Sequence, residues 1–592
     1  MAKSTQKITQ HSTAEYFAKN LQQVGFSSPV KAVLTTLKEA VDNSLDACEE
    51  AEILPELEII VKRAGNGASK NSELVEIIVD DNGPGIEGDD LPKVFGEYLS
   101  SSKFGRGRCS RGQQGIGISA ATTWAQLTNA AGVKVTSKTS GMRKAVRCQI
   151  DVDIKANKGL AKSKETIEWD RPHGTRVEFK IDGRVQLNGD GGIITYLEGT
   201  TLVNPHLTLR YKLLDQPEVE VKRVTDTVPE IPPPTLPHPH TLKLGEFMTH
   251  AHLYGKVSLD NFLRKGFSRV SDEAIKGFIG QKMPKAFLKE SINSFSEEQF
   301  KTVFQAIQGT ELVNPSTRSV MTIGEESLSK SIQRLGQIDF FSVVARKPRI
   351  CDYKPVAVEV AIARFVNKVN LSEENEPVQL LRFANRVPLQ FDKAACAITN
   401  AVESVNWRSY GLAQSKDSLP MGPYVFAVSV VSPFIKFKNA SKETIDASED
   451  LVEEIRRALM QAGQKLSRHI KREFRAADLE RKLQHIEKFG PILVQCLGKI
   501  VSAPPARLKR AEEGLAKLLG RDGRDAEKEL AEAETQLKKV KERQKGGNSG
   551  DGGESAAEVS DDNVEADEQL EMAELRASAS DEDSSSGARK KK

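Results

Sequence analysis

The segment of residues 37–47, LKEAVDNSLDA, constrains the fold and the chemistry of this chain more than any other. Residues four and seven positions apart on a helix lie near the same azimuth, so Glu39, Asn43 and Asp46 stack along one side. The other sides carry the apolar residues of a core-facing helix: Val33, Leu37, Val41 and Leu45. Such a polar face can hold a metal ion and a water, although a solvated helix surface has a similar composition.

A buried strand is predicted shortly after this helix. Residues 75–79, VEIIV, form a short apolar run that leads directly into residues 80–86, DDNGPGI. The glycines and the proline end the strand and leave Asp81 at its tip. A carboxylate at the end of a strand, followed by a glycine turn, predicts one edge of a ligand site.

A glycine-rich loop is predicted at residues 111–121, RGQQGIGISAA. Glycine lets backbone N–H groups approach phosphate oxygens, and the start of the following helix adds positive potential. The loop is not a Walker A motif, because no Gly-Lys-Ser/Thr follows its glycines. It is not a Rossmann fingerprint either, since it does not close the first strand of a βαβ unit.

The order of these elements is more specific than any one of them. A helix with Glu-x-x-x-Asn, a strand ending in Asp-x-Gly-x-Gly, the glycine loop and residues 172–179, PHGTRVEF, together resemble the GHKL ATPase superfamily. This resemblance implies an α/β fold, the α+β sandwich of the Bergerat ATPase domain, with ATP and Mg²⁺ as its ligands. It implies that Asn43 holds Mg²⁺ and that Glu39 orients and deprotonates the attacking water. By the same resemblance Asp81 accepts a hydrogen bond from the adenine amino group, with support from Thr175.

The resemblance also implies which residues enclose the phosphates. Hydrolysis would then depend on positioning and charge neutralisation rather than on covalent chemistry. The segment 100–104, SSSKF, would form a lid over the nucleotide, and its alternative interpretation is a flexible polar loop. The expected residues of the lid and the loop are Ser102, Lys103, Gly112, Gln113, Gln114, Gly115, Ile116, Gly117, Ile118 and Ser119.

Length and composition limit the remaining possibilities. A chain of 592 residues holds roughly three or four domains of ~150 residues each. Its six cysteines lie far apart and form no Cys-x-x-Cys pair, which argues against disulfide frameworks and zinc sites and favours a reducing compartment. No run approaches the ~18 apolar residues of a membrane span. We therefore expect a cytoplasmic, nucleoid-associated protein with no membrane contact.

The net charge of +3 conceals an asymmetry. Residues 546–592 carry 13 acidic and 5 basic side chains, so the rest of the chain is basic. A basic body can meet DNA phosphates, although an excess spread over so many residues indicates this only weakly. The acidic, Ser- and Gly-rich end is too polar to bury and is predicted to be disordered.

Composition shifts divide the chain into five predicted parts. The prolines of residues 228–240 are incompatible with a helix or a central strand. An ATPase domain with an N-terminal arm is therefore expected to end at residue 228. Residues 229–308 then hold a linker and short helices at 259–266, 270–279 and 296–304. Residues 309–472 are predicted to form a mixed α/β domain, with strands at 356–362 and 424–431 and a helix over 447–470. Residues 473–545 are predicted to form a charged helical extension, a solvated helix or a coiled-coil docking segment, ahead of the tail at 546–592.

The domain order makes the resemblance narrower. A GHKL domain, a helical insert and an α/β domain containing residues 437–444, FKNASKET, resemble the B subunits of type IIB DNA topoisomerases over roughly residues 8–470. In that family the insert is a helix-two-turn-helix module, which residues 259–279 match, and the last domain is called the transducer. Lys442 corresponds to the family's switch lysine, which reaches the γ-phosphate and couples nucleotide state to domain angle. Its alternative interpretation is one surface lysine among several.

Two further segments resemble the family: 382–389, RFANRVPL, and 406–411, NWRSYG. The second carries the expected DNA-binding residues Trp407, Arg408 and Tyr410. The family usually has Lys where Arg408 stands. The positive charge is kept, so a phosphate contact is still expected, although the two side chains differ in geometry.

The resemblance implies an ATP-gated clamp on double-stranded DNA. ATP would close two B subunits into a homodimer, partly through an arm over residues 8–26 with Tyr16 and Phe17 as apolar anchors. A partner A subunit would supply the cleaving tyrosine and a Toprim metal site in a heterotetramer of two A and two B subunits. The alternatives are a mismatch-repair-like GHKL clamp and a non-catalytic DNA scaffold. Four intact residues argue against the scaffold: Glu39, Asn43, Asp81 and Lys442.

Overall fold

The first part of the chain is built on an eight-stranded sheet. The structure, a computed structural model, describes residues 11–100, 107–112, 115–366, 376–439, 441–515 and 517. In chain order the strands are β1 Glu56–Asn66, β2 Glu73–Asp81, β3 Val133–Lys138, β4 Ala145–Asp153, β5 Lys158–Ile167, β6 Gly174–Gly183, β7 Thr208–Leu213 and β8 Val219–Val221. They lie in the order β5-β4-β3-β6-β2-β1-β7-β8, and β1 and β7 run parallel while the other neighbours are antiparallel. The strand predicted at 75–79 is confirmed inside β2.

Helices cover this sheet and complete an α+β sandwich, as the sequence predicts. They are α1 Thr13–Lys19, α2 Pro29–Glu50, α3 Leu91–Gly96, α4 Gly117–Asn129 and α5 Ile193–Val203. Helix α2 begins where the Ser28 hydroxyl accepts the Lys31 N–H at 3.2 Å and Pro29 occupies the first turn. The predicted apolar stripe is confirmed, because each of its members is at most 1% exposed: Val33, Leu37, Val41 and Leu45.

A small helical module follows the proline-rich linker. Its helices are α6 Leu244–Leu253, α7 Leu259–Gly266 and α8 Glu297–Gln308, around a core rich in phenylalanine. The helices predicted at 259–266 and 296–304 are confirmed, and α6 was not predicted. The segment predicted as a helix at 270–279 is helical but irregular, with a π-helix at Ala274–Phe278 followed by a 3₁₀ helix at Ile279–Gln281. Two glycines in this stretch, Gly277 and Gly280, weaken its helical propensity.

A second sheet forms the next domain. Its strands are β9 Ile338–Ala345, β10 Arg349–Cys351, β11 Lys354–Phe365, β12 Gln379–Ala384, β13 Val387–Leu389 and β14 Tyr424–Val431, and its helices are α9 Glu325–Gln333, α10 Ala397–Ser404 and α11 Glu449–Ile500. The order is β10-β11-β14-β12-β13, with β9 also paired to β11. The strands predicted at 356–362 and 424–431 are confirmed as β11 and β14.

The second sheet is buried on both faces. One face packs against α10 and α11, where Ile398, Ile455 and Leu459 are fully buried. The other face meets α9 and the end of α5, whose Leu202 and Val203 belong to the first domain. An apolar interface therefore joins the two sheets through α5.

Helix α11 is longer than the sequence analysis predicts. The helix expected over 447–470 begins at Glu449 and continues to Ile500, so the expected boundary at residue 472 lies inside it. Residues 471–489 contain no glycine or proline to stop a helix, and Pro491 is accommodated within it. Within the described ranges, no helix is both long and apolar enough to cross a membrane.

The chain divides into two compact units, one ending at Asp478 and one beginning at Leu479. In the second unit the helix that ends at Ile500 is followed by a helical stretch over residues 505–515. Leu508 packs against Gly498 and Leu515 against Gly490, which makes a helical hairpin. The rest of the predicted extension and the predicted disordered tail at 546–592 lie outside the described residues.

The described part of the predicted N-terminal arm packs on its own domain. Phe17 stacks on Tyr98 with ring centroids 5.3 Å apart, and Ala14 is fully buried. Tyr16 is 49% exposed and donates to Gln23. Of the two predicted anchors, Tyr16 is therefore the one left on the surface, and residues 8–10 lie outside the described residues.

Candidate functional site

A cavity of about 630 Å³ opens between α2, the start of α4 and the ends of β2 and β6. Side chains from separate parts of the chain meet in its wall, including Lys442 of the second domain. The predicted site residues that line it are Glu39, Asn43, Asp81, Gly112, Gly115, Ile116, Gly117, Ile118, Thr175 and Lys442. The structure thus brings together residues that are up to about 400 positions apart in the sequence.

Glu39 and Asn43 present polar groups that make no hydrogen bond with any described residue. They lie one turn apart on α2, half-buried in the cavity wall. A Cβ built on Gly117 would come within 1.8 Å of Glu39 Oε2, so only glycine allows α4 to begin this close to the carboxylate. A half-buried carboxylate and amide with no hydrogen-bond partner among the described residues are positioned to bind a ligand.

The amide of Asn43 fits a magnesium ion better than a metal bound entirely by protein. Among the residues that the structure describes, no group of three His, Cys, Asp or Glu side chains converges in a way that could hold a metal. Mg²⁺ typically takes one or two protein oxygens and fills its remaining positions with phosphate oxygens and water. The amide oxygen of Asn43, which lies in the cavity wall and has no partner in the part of the chain that the structure describes, matches that pattern.

Asp81 lies at the far end of the cavity, where β2 ends. Its Oδ1 accepts the N–H groups of Gly83 and Thr175 at 2.9 and 3.1 Å, and its Oδ2 accepts the Ser44 hydroxyl at 2.7 Å. Burial raises the pKa of this carboxyl to about 6, against the effect of these three donors. The donors fix the orientation of the carboxylate, and one edge of it remains available to a ligand.

Thr175 connects this carboxylate to the neighbouring strand. Besides its backbone N–H to Asp81, its hydroxyl lies 3.2 Å from the Ser137 hydroxyl. Gly174 precedes it with φ of 133°, and a Cβ there would lie 2.2 Å from the Asp81 carbonyl oxygen. The tight approach of β6 to the tip of β2 therefore requires glycine at position 174.

The glycine loop ends in a helix that has no side-chain cap. Ile116 stands at the N-cap position of α4 and supplies no hydrogen-bond acceptor to the first-turn N–H groups. Gly115 adopts a left-handed conformation with φ of 62° just before it. Open N–H groups at a helix start form a site for anions, which is the arrangement predicted for phosphates.

Not every predicted loop residue faces the cavity. Ser119 is 1% exposed, and its hydroxyl donates to the Glu97 carbonyl at 2.9 Å, so its side chain does not line the site. The predictions for Ser102, Lys103, Gln113 and Gln114 fall outside the described residues.

Lys442 reaches the cavity from the second domain. Its ammonium donates to the carbonyl oxygen of Arg111 at 2.9 Å, and its backbone is left-handed with φ of 54°. The next residue, Glu443, pairs with Lys31 of α2 at 2.8 Å. Two consecutive residues of this loop, Lys442 and Glu443, therefore both contact the first domain.

Asp46 has a different role from the one that its helical position predicts. Its carboxylate pairs with Arg111 at 2.7 Å and accepts the Gly112 N–H at 3.2 Å, in a buried setting. The prediction that it shares a metal-and-water face with Glu39 is wrong, because the arginine already occupies it.

A buried ionic cluster next to the cavity was missed by the sequence analysis. Its members are Glu49, Arg111, Arg386 and His206, all at most 3% exposed. Burial raises the pKa of Glu49, but the two guanidinium charges and the hydrogen bond with His206 outweigh it and hold that pKa well below the ordinary range. The one available signal was Arg386, which follows Asn385 at a position where a two-residue hairpin turn normally has glycine.

The predicted DNA contacts separate into one exposed and two packed side chains. Trp407 is fully buried, donates to the Val402 carbonyl at 2.8 Å and packs on Phe426, so the prediction that it contacts DNA is wrong. Tyr410 is half-buried against Trp407. Arg408 is exposed and donates to the Gln414 carbonyl, and its DNA contact stays a prediction.

Comparison with known proteins matches both domains. The family model of histidine kinase-, DNA gyrase B- and HSP90-like ATPases matches residues 30–184, and that of the topoisomerase VI B subunit transducer matches residues 315–482. The B subunit of type 2 DNA topoisomerase 6 from Archaeoglobus fulgidus is 35% identical over 515 residues, covering 86% of this chain and 82% of the relative. The relative of the same name from Methanococcoides burtonii is 36% identical and covers 84% and 78% of the two chains. For Pyrococcus abyssi the identity is 30%, with coverage of 84% and 93%. The chain belongs to the family of topoisomerase VI B subunits, the ATP-hydrolysing subunits of type II DNA topoisomerases.

Proposed function

We infer that this chain binds ATP in the cavity between α2 and α4 and hydrolyses it to drive the passage of one DNA duplex through another. The observation that carries this function is that Glu39 and Asn43, which make no hydrogen bond with a described residue, line one cavity together with Asp81 and Lys442. The length of the match to topoisomerase 6 B subunits supports the same function.

Asp81 and Thr175 hold the adenine end of the nucleotide. The Asp81 carboxylate accepts a hydrogen bond from the exocyclic amino group, and its three protein donors prevent it from turning away. A carboxylate fixed in this way distinguishes adenine from guanine, which presents a carbonyl oxygen at the corresponding position.

The glycine loop and the start of α4 hold the phosphates. Backbone N–H groups from Gly115 to Ile118 surround the oxygens, and the dipole of α4 favours their negative charge. Asn43 would hold Mg²⁺, which when bound would supply positive charge beside the terminal phosphates.

Glu39 acts on the attacking water. Its carboxylate accepts a proton as the water oxygen attacks the γ-phosphorus, and the bond from that phosphorus to the bridging oxygen breaks to give ADP and phosphate. The absence of any hydrogen bond to Glu39 from a described residue leaves its oxygens available for this water. Contact with Gly117 fixes how deeply the carboxylate extends into the cavity.

Lys442 carries the state of the nucleotide to the second domain. Its ammonium, now on the Arg111 carbonyl, lies in the wall of the cavity and exchanges that neutral acceptor for a γ-phosphate oxygen when ATP is bound. Hydrolysis and release remove that partner, so the loop around residue 442 has two positions.

The DNA cycle requires partners. Two copies of the chain close as a homodimer on ATP, with Tyr16 exposed for that contact, and a partner A subunit supplies the cleaving tyrosine and its Toprim metal site. The working assembly is a heterotetramer of two A and two B subunits on double-stranded DNA in the nucleoid.

Relaxation of supercoiled plasmid tests this function. The chain is combined with its native A subunit, with and without ATP and Mg²⁺, beside each protein alone and beside the mixture with Glu39→Gln. ATP-dependent relaxation by the parent mixture alone is expected. ATP hydrolysis without a change in plasmid topology would replace this function by that of a clamp or a scaffold.

A further inference from the structure

The carboxylate of Glu49 joins the nucleotide loop to the second domain. Arg111 donates to both oxygens of Glu49 at 2.6 and 3.0 Å, and Arg386 donates to the same two oxygens at 2.7 and 3.0 Å. His206 adds a third contact at 2.8 Å. One carboxylate is thus held by two bidentate guanidinium groups from separate domains, and such pairs fix geometry as well as charge.

Arg111 begins the glycine loop to which the proposed function assigns the phosphates. Its carbonyl oxygen accepts a hydrogen bond from the ammonium of Lys442, and the backbone N–H of its neighbour Gly112 donates to the Asp46 carboxylate. Asn204 forms a second bridge, accepting from the Arg111 guanidinium at 2.6 Å and donating to the Arg386 carbonyl at 3.4 Å. A displacement of this loop therefore acts on the partners of Arg386 directly.

Arg386 occupies an unusual backbone position. The hairpin between β12 and β13 turns through Asn385 and Arg386 alone, and their φ angles are 48° and 63°. Such turns normally have Asn-Gly at these positions, because a side chain disfavours the left-handed conformation. A residue held in a costly conformation by a buried ion pair indicates a functional constraint on that residue.

We propose that Arg386 is a positioning residue that transmits the placement of the nucleotide loop to the transducer sheet through Glu49. Lys442 senses the phosphate from the transducer side, whereas the Glu49 contact ties the loop to the turn of β12 and β13. The rigid pair makes the loop and the turn move together. This inference rests on the proposed function, since it assigns a route for a signal that ATP generates.

Arg386→Gly removes the side chain without damage to the turn. Glycine relieves the left-handed backbone, and Glu49 keeps Arg111 and His206 as partners, so no buried charge is left alone. The chain also offers a matched control: Asp352 and Tyr353 form the other two-residue turn, with φ of 48° and 57°. Tyr353→Gly relieves the same left-handed conformation and removes no ion pair, and the contacts that it does remove are those of the Tyr353 ring with His238 and His240. Arg386→Lys keeps the charge and loses the bidentate geometry.

Amide hydrogen exchange on the full chain, with and without a non-hydrolysable ATP analogue, tests the proposal. In the parent and in Tyr353→Gly the analogue is expected to slow exchange around Arg111 and in the strands β12 and β13. In Arg386→Gly the response around Arg111 is expected to persist and that of β12 and β13 to be lost, with partial rescue in Arg386→Lys. The KM for ATP should stay within about twofold of the parent, while plasmid relaxation per ATP hydrolysed falls by about tenfold.

Two results would overturn the proposal. If β12 and β13 respond in Arg386→Gly as in the parent, the signal does not pass through Arg386, and the proposed function stands without it. If the parent shows no response around Arg111, the cavity does not bind ATP, and the proposed function fails together with this inference. A structural role alone would lower the melting temperature and weaken both responses equally.

Discussion

Two polar regions of helix α2, within three turns of each other, have different surroundings. Glu39 and Asn43 line an open cavity and make no hydrogen bond with a described residue, whereas Asp46 and Glu49 are buried and paired with arginines. The sequence places a glutamate in both regions. Which carboxylate serves a ligand and which serves the fold is decided by the arginines that the rest of the chain brings to it.

This difference shows that two carboxylates of one helix can have separate roles, one in ligand binding and one in the stability of the fold. The carboxylate of Glu49 loses its hydration and is compensated by hydrogen bonds from both guanidinium groups. Glu39 accepts no hydrogen bond from a described residue, so its oxygens are available to water and to the nucleotide. A polar group without partners in a cavity is therefore the stronger indication of chemistry.

Removing the buried carboxylate should have the largest effect. Glu49→Gln leaves Arg111 and Arg386 facing each other with one carboxylate fewer, and we expect a loss of about 3–5 kcal/mol in the free energy of unfolding. Glu39→Gln, in the cavity, should change it by less than about 0.5 kcal/mol. Urea denaturation of both variants checks this, and equal losses would contradict the division between the two regions.

Displacing the cavity carboxylate should affect the rate rather than the fold. Gly117→Ala places a methyl group where Glu39 Oε2 lies, so the flexible glutamate must move, and we expect kcat for ATP to fall by about 10- to 100-fold. Gly245→Ala, in the first turn of α6 with nothing near its Cβ, is the matched control. An unchanged kcat in Gly117→Ala would mean that the position of Glu39 does not matter.

The lysine at the cavity wall should affect coupling more than binding. Lys442→Met is expected to keep nucleotide affinity within a few-fold and to reduce plasmid relaxation per ATP by about tenfold. Lys438→Met is the control, because Lys438 is exposed and does not line the cavity. Equal behaviour of the two variants would show that Lys442 is one surface lysine among several.

The smallest effect concerns pH at the adenine end. The pKa of Asp81 is raised to about 6 by burial, so the group is ionised at pH 7 and takes up a proton as the pH falls toward 5. Binding of adenosine, which has no titrating phosphate, should therefore weaken by less than about tenfold between pH 7 and pH 5. Calorimetry on the parent and on Asp81→Asn checks this, since the asparagine variant should show no such dependence.

Local patterns were sufficient for the elements that carry most of the site. Strong apolar runs predicted β2 and β14, and the helical spacing of Glu39 and Asn43 predicted the polar face of α2. Long-range pairing was not predictable, because nothing near Glu49 in the sequence indicates that Arg386, 337 positions away, will share its carboxylate. For the same reason Asp46 was assigned to the wrong face, since only Arg111 distinguishes it from Glu39.

The prediction from motif resemblance was wrong for Trp407, because burial of the side chain decides what it can contact. The segment around Trp407 resembles a DNA-contacting sequence of its family, but the indole fills the core under β14, and of the three predicted contacts only Arg408 is exposed. The continuity of α11 was not predicted: no glycine or proline between residues 471 and 489 stops a helix, but composition alone placed a domain boundary at residue 472.

The rate of ATP hydrolysis by Glu39→Gln, measured with the amount of bound nucleotide in the same sample, tests the central claim most directly. The variant should bind ATP as the parent does and hydrolyse it about 10²- to 10⁴-fold more slowly, because the water loses its proton acceptor. Hydrolysis at the parental rate would contradict the assignment of Glu39 and, with it, the distinction between the open and the paired regions of α2.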